Sequence, residues 1–359
     1  MFHYKVINAL SKCRKNRKIA MKRATELVRK VEDNFGAEEC SFETANCYKS
    51  LIHGWCNVKE QGAAKAAHKY LSKLENLPCN GWRKVRDFNV VLNAYAEQSR
   101  YESRASLKAL NLLTHMKYRF RRKGEKDIKP NRRSYNTVIK ALSKSRDRDS
   151  VAKAEAILLE MEKSFANGDF GLRPDKISYS TILHAWARSK ERKAPQKAEV
   201  YLKSMYQLDE RGFKDAKADG ITYNTVINIL ANSGNIDAGK RSELILDKME
   251  ELYRAGDNTV KPSTTTYNSV IAAYASNSDY ASAVRSYAVL ERMIEASTVS
   301  PSAATPDIIT YNSVLNAFAR SHQPIFAEQL LAVMEKSNTD GATCVKPDLF
   351  SYNSLINAW

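Results

Sequence analysis

The sequence predicts an all-α fold, a right-handed α-solenoid of stacked helix-turn-helix hairpins. A nine-residue motif returns at a nearly constant interval, a second apolar block follows it at a fixed offset, and the composition favours helices. The 359 residues are 43% apolar and 27% charged, with only 13 Gly and 9 Pro. This composition excludes collagen-like and disordered chains. No apolar run approaches the roughly 18 residues that would cross a bilayer, so we expect no membrane partner.

The motif marks the first helix of each repeat. It reads SYNTVIKAL from Ser134, SYSTILHAW from Ser178 and TYNTVINIL from Thr222, and returns from Thr266, Thr310 and Ser351. The tyrosine in second place is the anchor of the unit, and successive anchors lie 44 residues apart four times and 41 once: Tyr135, Tyr179, Tyr223, Tyr267, Tyr311 and Tyr352. Towards the amino terminus, Phe88, Tyr48 and Tyr4 occupy the same slot. The chain therefore contains nine units, the last of them incomplete.

A second apolar block predicts the partner helix. It ends at Met161, Met205, Met249 and Met293, each 26 residues after its anchor, and in the eighth unit at Met334, 23 residues after. Within both blocks the apolar residues recur at intervals of three and four, which is the period of an amphipathic helix. Because the spacing between the two blocks varies among units, each unit is interpreted as two helices joined by a turn of variable length. Stacking such hairpins buries a continuous core.

Charge divides the chain into two predicted regions. The net charge is +17. Residues 1–133 hold 30 basic and 13 acidic side chains, whereas residues 134–359 hold 27 of each. We therefore expect three basic, degenerate units starting near residues 1, 45 and 85, then five regular repeats and the first helix of a ninth over 134–359. A surplus of this size indicates a polyanionic partner.

Nothing in the sequence indicates catalysis, a cofactor or a metal. The six cysteines include no CxxC pair, and the six histidines stand apart from any recognisable motif. The acids that recur once per unit would be separated by about 8–10 Å per helix contact, so they would not converge on one ion. Walker A, nucleophile-elbow and deaminase signatures are absent from the sequence. We therefore expect a protein that is not an enzyme.

The period alone also suits HEAT or armadillo hairpins, but the residues distinguish the families. The opening [S/T]-Y-[N/S]-[S/T], the A-E-x-[I/L/V]-x-x-x-M-like second helix and the closing K-P-D or R-P-D resemble the pentatricopeptide repeat family. The usual unit of that family has 35 residues; here three extra residues lie in the hairpin turn and six after the second helix. The resemblance implies single-stranded RNA binding by a monomer, one nucleotide per repeat, possible recruitment of protein partners, and a role in organellar RNA processing, stability or translation.

The resemblance also implies two base-reading side chains per repeat. The first follows the anchor, and the second lies four residues before the next anchor. The implied base-reading pairs are Asn89 with Asn131, Asn136 with Asp175, Ser180 with Asp219, Asn224 with Ser263, Asn268 with Asp307, and Asn312 with Asp348. By the pairing rules of the family, units three to eight would select C/U, U, G, C, U and U. A helix cap or turn is the structural alternative for any one of these residues.

Two further sets of residues follow from the same register. The side chains two before each anchor would sandwich the bases: Arg86, Arg133, Ile177, Ile221, Thr265 and Ile309. In the first two units the reading slots hold Lys5 with Thr44 and Lys49 with Lys84. Lysine is a point charge without an acceptor, so Lys5, Lys49 and Lys84 are expected to bind phosphates rather than select bases.

Three expectations remain open at this stage. A protein-binding scaffold of tetratricopeptide type is the alternative function. Mitochondrion or plastid is the location that the family implies, although no transit peptide is visible. Because the chain starts at the beginning of a unit and stops inside a first helix, we expect it to be a fragment of a longer protein.

Overall fold

The computed structural model describes residues 2–13, 15–35, 42–58, 60–77, 84–102, 104–299, 303–339 and 345–359. Over these residues the chain forms 17 α-helices and four 3-10 turns. The first helices of the units are α1 (Phe2–Lys12), α3 (Phe42–Cys56), α5 (Val85–Gln98), α7 (Arg132–Lys144), α9 (Lys176–Ser189), α11 (Gly220–Ala231), α13 (Thr264–Ala275), α15 (Ile308–Arg320) and α17 (Leu349–Ala358). The second helices are α2 (Arg17–Phe35), α4 (Ala63–Glu75), α6 (Ala105–Lys123), α8 (Ser150–Ala166), α10 (Ala194–Glu210), α12 (Ala238–Arg254), α14 (Tyr280–Val299) and α16 (Pro324–Thr339). The predicted all-α hairpin architecture is confirmed.

The helices pack into two compact units, Met1–Ala185 and Trp186–Trp359. In the first unit α1, α3, α5 and α7 lie side by side in one layer, and α2, α4 and α6 each contact the first helix of their own hairpin and of the next. In the second unit α11, α13, α15 and α17 form the layer of first helices, with α12, α14 and α16 packed on them in the same way. The division that charge suggests at residue 133 is a different one and stays a prediction.

The anchor and the second-helix methionine are both buried, as the apolar pattern predicts. Tyr135, Tyr179 and Tyr223 are almost completely buried. The methionines that close the second helices are buried too: Met161, Met205, Met249, Met293 and Met334. Burying each of these side chains contributes about 1.5–3 kcal/mol, so the repeated motif is first of all a packing motif.

Several anchors also tie their hairpin to the one before it, whereas the hydroxyl of Tyr135 donates to Glu160 on the second helix of its own hairpin. The hydroxyl of Tyr179 donates to Glu162 Oε1 over 2.9 Å, and that of Tyr267 donates to Glu250 Oε1 over 2.7 Å. Each glutamate lies 17 residues earlier, on the second helix of the preceding repeat. Because a buried phenol needs a partner, this bond fixes the register between successive hairpins.

A glycine and a short helical turn account for the extra residues after the second helix. Gly168, Gly212 and Gly256 have φ of 93°, 88° and 99°, a left-handed conformation that ends the helix. A 3-10 turn follows in each linker, at Lys126–Ile128, Phe170–Leu172, Lys214–Ala216 and Asn258–Val260. These turns bury Ile128, Leu172, Ala216 and Val260 at intervals of 44 residues. The longer period thus adds one buried apolar side chain after each of these four hairpins.

Candidate nucleic-acid interface

The second residue of each implied reading pair caps a first helix. The side chains of Asn131, Asp219, Ser263, Asp307 and Asp348 occupy the N-cap positions of α7, α11, α13, α15 and α17 and accept the backbone N–H three residues on. Asp175 does the same ahead of α9, since Ser178 N lies 2.9 Å from its Oδ1. Capping satisfies one otherwise unpaired helix amide. The structural alternative is therefore correct for these residues, whatever else they do.

The first residue of the pair reaches across to this cap. Asn136 Nδ2 donates to Asp175 Oδ1 over 3.0 Å, joining α7 to the start of α9. The same bond joins Asn268 to Asp307 over 3.1 Å. It joins Asn312 to Asp348, also over 3.1 Å. Side chains 36 to 39 residues apart thus form a rung between consecutive first helices, as the reading pairs require.

A buried hydroxyl completes each rung. Ser178 Oγ donates to Asn136 Oδ1 over 2.7 Å, Thr310 Oγ1 to Asn268 Oδ1 over 2.7 Å, and Ser351 Oγ to Asn312 Oδ1 over 2.6 Å. All three hydroxyl residues are fully buried. This bond fixes the amide orientation, because only the oxygen of the asparagine can accept from the hydroxyl. The Nδ2 group is thereby directed at the carboxylate.

The bonds within a rung leave hydrogen-bonding capacity for a ligand. Each rung uses one of the two Asn N–H donors and one of the two carboxylate oxygens. In the Asn136 rung the second oxygen, Asp175 Oδ2, also lies 3.6 Å from Arg132 Nη1. What remains is a donor beside an acceptor, complementary to a base edge that carries an acceptor beside a donor. The Watson–Crick edges of uracil and cytosine both have that pattern.

Two carboxylates of the rungs are held ionised. Burial acts to raise the pKa of Asp307, but the backbone N–H and hydroxyl of Thr310 and the amide of Asn268 outweigh it and hold that pKa below its usual value. The pKa of Asp348 is also lowered, first by the backbone N–H of Ser351. An ionised carboxylate only accepts hydrogen bonds, so these two side chains can accept an N–H of a ligand but cannot donate to it.

The remaining pairs differ in detail. Thr266 Oγ1 donates to Asn224 Oδ1 over 2.7 Å, while Ser263 caps α13. Asn89 Nδ2 approaches Asn131 Oδ1 at 3.4 Å, but Asn89 is only 7% exposed.

Ser180 and Asp219 belong to different compact units. Within its own unit, Ser180 Oγ lies 3.4 Å from Ile177 O. Asp219 Oδ1 accepts the backbone N–H of Thr222 over 3.0 Å.

The predicted phosphate-binding lysines occupy varied settings. Lys5 is exposed and Lys49 is half-buried. Lys84 precedes α5, and its Nζ lies 3.2 Å from Asp127 Oδ1. Thr44, the partner of Lys5 in the register, is half-buried. Among the described residues, these lysines and Thr44 therefore do not form a rung like those of the later repeats.

The predicted base-sandwiching residues are exposed on the first helices. Ile177, Ile221 and Ile309 are 59%, 66% and 59% exposed. Arg86, Arg133 and Thr265 are exposed as well. Phe350 holds the same slot on α17 and is 53% exposed, although the sequence analysis did not single it out. Its position marks it in the sequence, because Phe350 lies two residues before the anchor Tyr352, as the predicted base-sandwiching residues lie two before theirs.

A groove brings these residues together in the first unit. It has a volume of about 620 Å³ and is lined by the rung residues Asn136 and Asp175 and by Arg133 and Ile177, which precede successive anchors. Lys140 on the following turn of α7 also lines it. Lys140 is paired with Glu97, whose Oε1 lies 2.7 Å from its Nζ. A polar rung flanked by a guanidinium and an aliphatic side chain suits a planar base.

Among the described residues no group of His, Cys, Asp and Glu is placed to hold a metal ion. No described helix is both long enough and apolar enough to cross a membrane.

The stacked hairpins and their capped rungs define a helical-repeat protein. Residues 208–277 and 302–359 match the pentatricopeptide repeat domain model, and residues 265–297 match the PPR repeat model. These matches confirm the resemblance to the pentatricopeptide repeat family that the motif carries.

Two solved structures are similar over 96% of this chain, each with 17% identity and a TM-score of 0.32. Both are of the pentatricopeptide repeat protein PPR10 in complex with an 18-nt psaJ RNA element, one carrying three cysteine-to-serine substitutions. The chain spans about half the length of these PPR10 chains, 52% in each case. No curated protein matches the sequence.

Proposed function

We propose that this protein binds single-stranded RNA and that consecutive repeats read consecutive bases. The observation that carries the proposal is the rung between first helices, seen three times with Asn donating to Asp over 3.0–3.1 Å. A cap alone would not require the asparagine. The second partner across the repeat boundary, oriented by a buried hydroxyl, supports a recognition role.

The proposed reading follows from the chemistry of the rungs. Asn with Asp offers a donor and an ionised acceptor, which suits the O4 and N3–H of uracil. Ser with Asp resembles a guanosine reader, and Asn with Asn or Ser a cytidine-leaning reader. Units three to eight then select C/U, U, G, C, U and U, with the amino-terminal repeats at the 5′ side of the RNA.

The flanking residues supply affinity without sequence selection. An exposed isoleucine two residues before the anchor buries apolar surface only when a base lies against it. Arg133 adds a planar cation that stacks on a base or pairs with its phosphate. The proposal includes no catalytic step. A role in mitochondrial or plastid RNA processing, stability or translation rests on the family resemblance alone.

A selection from randomised RNA with the purified chain tests this function. We expect enrichment of a core related to YUGCUU, where Y is either pyrimidine. The control is a variant with Asn136, Asn268 and Asn312 all replaced by Ala, which should still bind RNA but lose the three U positions. Enrichment of the same core by both proteins, or of no core by either, would contradict base reading and favour a peptide-binding scaffold.

A further inference from the structure

The positive charge of the amino-terminal repeats lies on their second helices. Helices α2, α4 and α6 together carry 15 Lys and Arg against four Asp and Glu. Helices α1, α3 and α5, which belong to the layer of first helices, carry four against three. The second helices of the later repeats, α8, α10, α12, α14 and α16, carry 11 against 14. Among the helices, the excess is thus concentrated in one layer at one end of the array.

Many of these cations are free to bind a ligand. On α2 and α4 the side chains of Lys22, Arg23, Lys30, Lys65 and Lys69 are exposed, and none forms an ion pair with a residue that the structure describes. Arg29 on α2 and Arg122 and Lys123 at the end of α6 share these properties. Glu26 and Asp33 are the exposed acids on α2.

Other cations of the same helices have structural partners instead. Lys73 Nζ lies 2.6 Å from Glu32 Oε2, and Lys117 Nζ lies 2.7 Å from Glu160 Oε2. Arg119 bridges two carboxylates and is buried. The hairpins therefore use one set of cations for their own packing and leave a second set facing solvent.

The exposed set forms one surface. Helices α2 and α4 both pack on α3, and α4 and α6 both pack on α5, so the three second helices are neighbours in their layer. With 19 residues, α2 is roughly 28 Å long at 1.5 Å per residue. Their outward faces, called the basic face from here on, comprise Lys22, Arg23, Arg29, Lys30, Lys65, Lys69, Arg122 and Lys123.

We propose that the basic face is a second nucleic-acid site, which holds the phosphates of a double-helical RNA segment without reading its bases. Sequence-independent sites for unpaired strands stack the bases on aromatic side chains. Among the described side chains, α2 and α4 expose no Phe, Tyr or Trp, and α6 exposes one, Tyr118. Duplex RNA instead presents only its backbone and shallow groove, so a face of cations on parallel helices is sufficient. This site lies in the other layer from the rungs and does not depend on their function.

The composition of the face argues against a membrane as its ligand. A helix that lies in a lipid interface turns an apolar face outward. In α2 and α4 the apolar faces point into the protein, where Met21, Val28, Leu71 and Leu74 are buried. Among the residues described, Ile19 on α2 and Tyr118 on α6 are the large apolar or aromatic side chains that the three helices expose.

A charge-matched pair of variants tests the basic face in the full chain. The test variant is K22Q/R23Q/K65Q/K69Q. The control, K203Q/K240Q/K248Q/R254Q, removes the same charge from α10 and α12, the second helices of later repeats. Binding of a perfectly paired RNA hairpin of about 16 base pairs is followed by anisotropy over a range of salt concentrations, with circular dichroism to verify folding.

We expect the test variant to bind the hairpin at least about tenfold more weakly, with a salt slope flatter by about 0.9 per lost duplex contact. The control should stay within about twofold of the unsubstituted protein, and an unpaired YUGCUU strand should not compete for the hairpin. The proposal would be overturned if the test variant bound the hairpin with unchanged affinity or if both variants lost affinity equally. Competition by the unpaired strand would overturn it as well. So would loss of binding to phosphatidylserine vesicles while hairpin binding persists.

Discussion

Asn268 Nδ2 donates to Asp307 Oδ1 over 3.1 Å, although the two residues belong to different hairpins. The same carboxylate oxygen accepts the backbone N–H of Thr310 over 2.9 Å. One side chain therefore both starts a helix and holds the side chain of the previous repeat. Helix stability and the proposed base reading therefore depend on the same side chain, and suitable substitutions can separate the two.

Replacing Asp307 separates the cap from the charge. Asp307→Ala removes the N-cap and should lower the free energy of unfolding by about 1 kcal/mol. Asp307→Asn keeps a capping oxygen and should cost much less, while it loses the acceptor that selects uracil. Urea denaturation measures the first effect, and binding to RNAs that differ at the fifth base of the six-base core measures the second. An equal loss of unfolding free energy in both variants would show that Asp307 does not stabilise the protein through its N-cap.

Acid should weaken the same rung. Because the pKa of Asp307 is lower in the folded protein than the ordinary value of 3.8, the folded state binds this proton less tightly than the unfolded state. The stabilisation is complete above about pH 4 and is lost as the pH falls through the lowered pKa. Urea denaturation between pH 6 and pH 3 should show a steeper decline for the unsubstituted protein than for Asp307→Asn. Parallel declines would contradict this linkage.

The buried hydroxyl should matter as much as the residues it orients. Thr310→Val keeps the volume but leaves Asn268 Oδ1 and the backbone N–H of Asp307 without their partner. We expect a loss of about 1–3 kcal/mol in the free energy of unfolding. The matched control is Thr265→Val, on the exposed surface of α13, which should change stability little. If Thr310→Val is as stable as its control, the hydroxyl does not hold the rung.

The exposed isoleucines should contribute to binding and not to folding. Ile177→Ala should weaken binding of the single-stranded target about fivefold, corresponding to roughly 1 kcal/mol of apolar burial, because its exposed half is covered only by RNA. Val200→Ala is the control, since Val200 is similarly exposed but lies on a second helix. Thermal unfolding should be unchanged in both. An equal effect of the two substitutions on RNA binding would count against a base contact at Ile177.

Sequence reasoning recovered the repeating parts of this structure and missed what depends on packing. The anchors, the methionines and the Asn and Asp slots follow from periodicity, since each recurs at a fixed offset. The role of Thr310 is visible only once α13 and α15 are placed side by side. The 3-10 turn that buries Leu172 also recurs every 44 residues, but its one buried residue lacks the three- and four-residue spacing that predicts a helix. The sequence does not predict that Lys22 and Lys65 lie on the exposed surface of the same helix layer, because that depends on which face of each hairpin is buried.

The central claim is that a rung selects one base, and the most direct test changes one rung and one nucleotide together. Asn136→Ser beside an unchanged Asp175 converts the fourth unit into the Ser and Asp combination of the fifth. Binding is measured on YUGCUU and YGGCUU strands. We expect the preference at the second base to move from U towards G by about 1–3 kcal/mol, with the other five positions unaffected. Equal weakening on both strands would show that Asn136 is structural and would contradict base reading by these rungs.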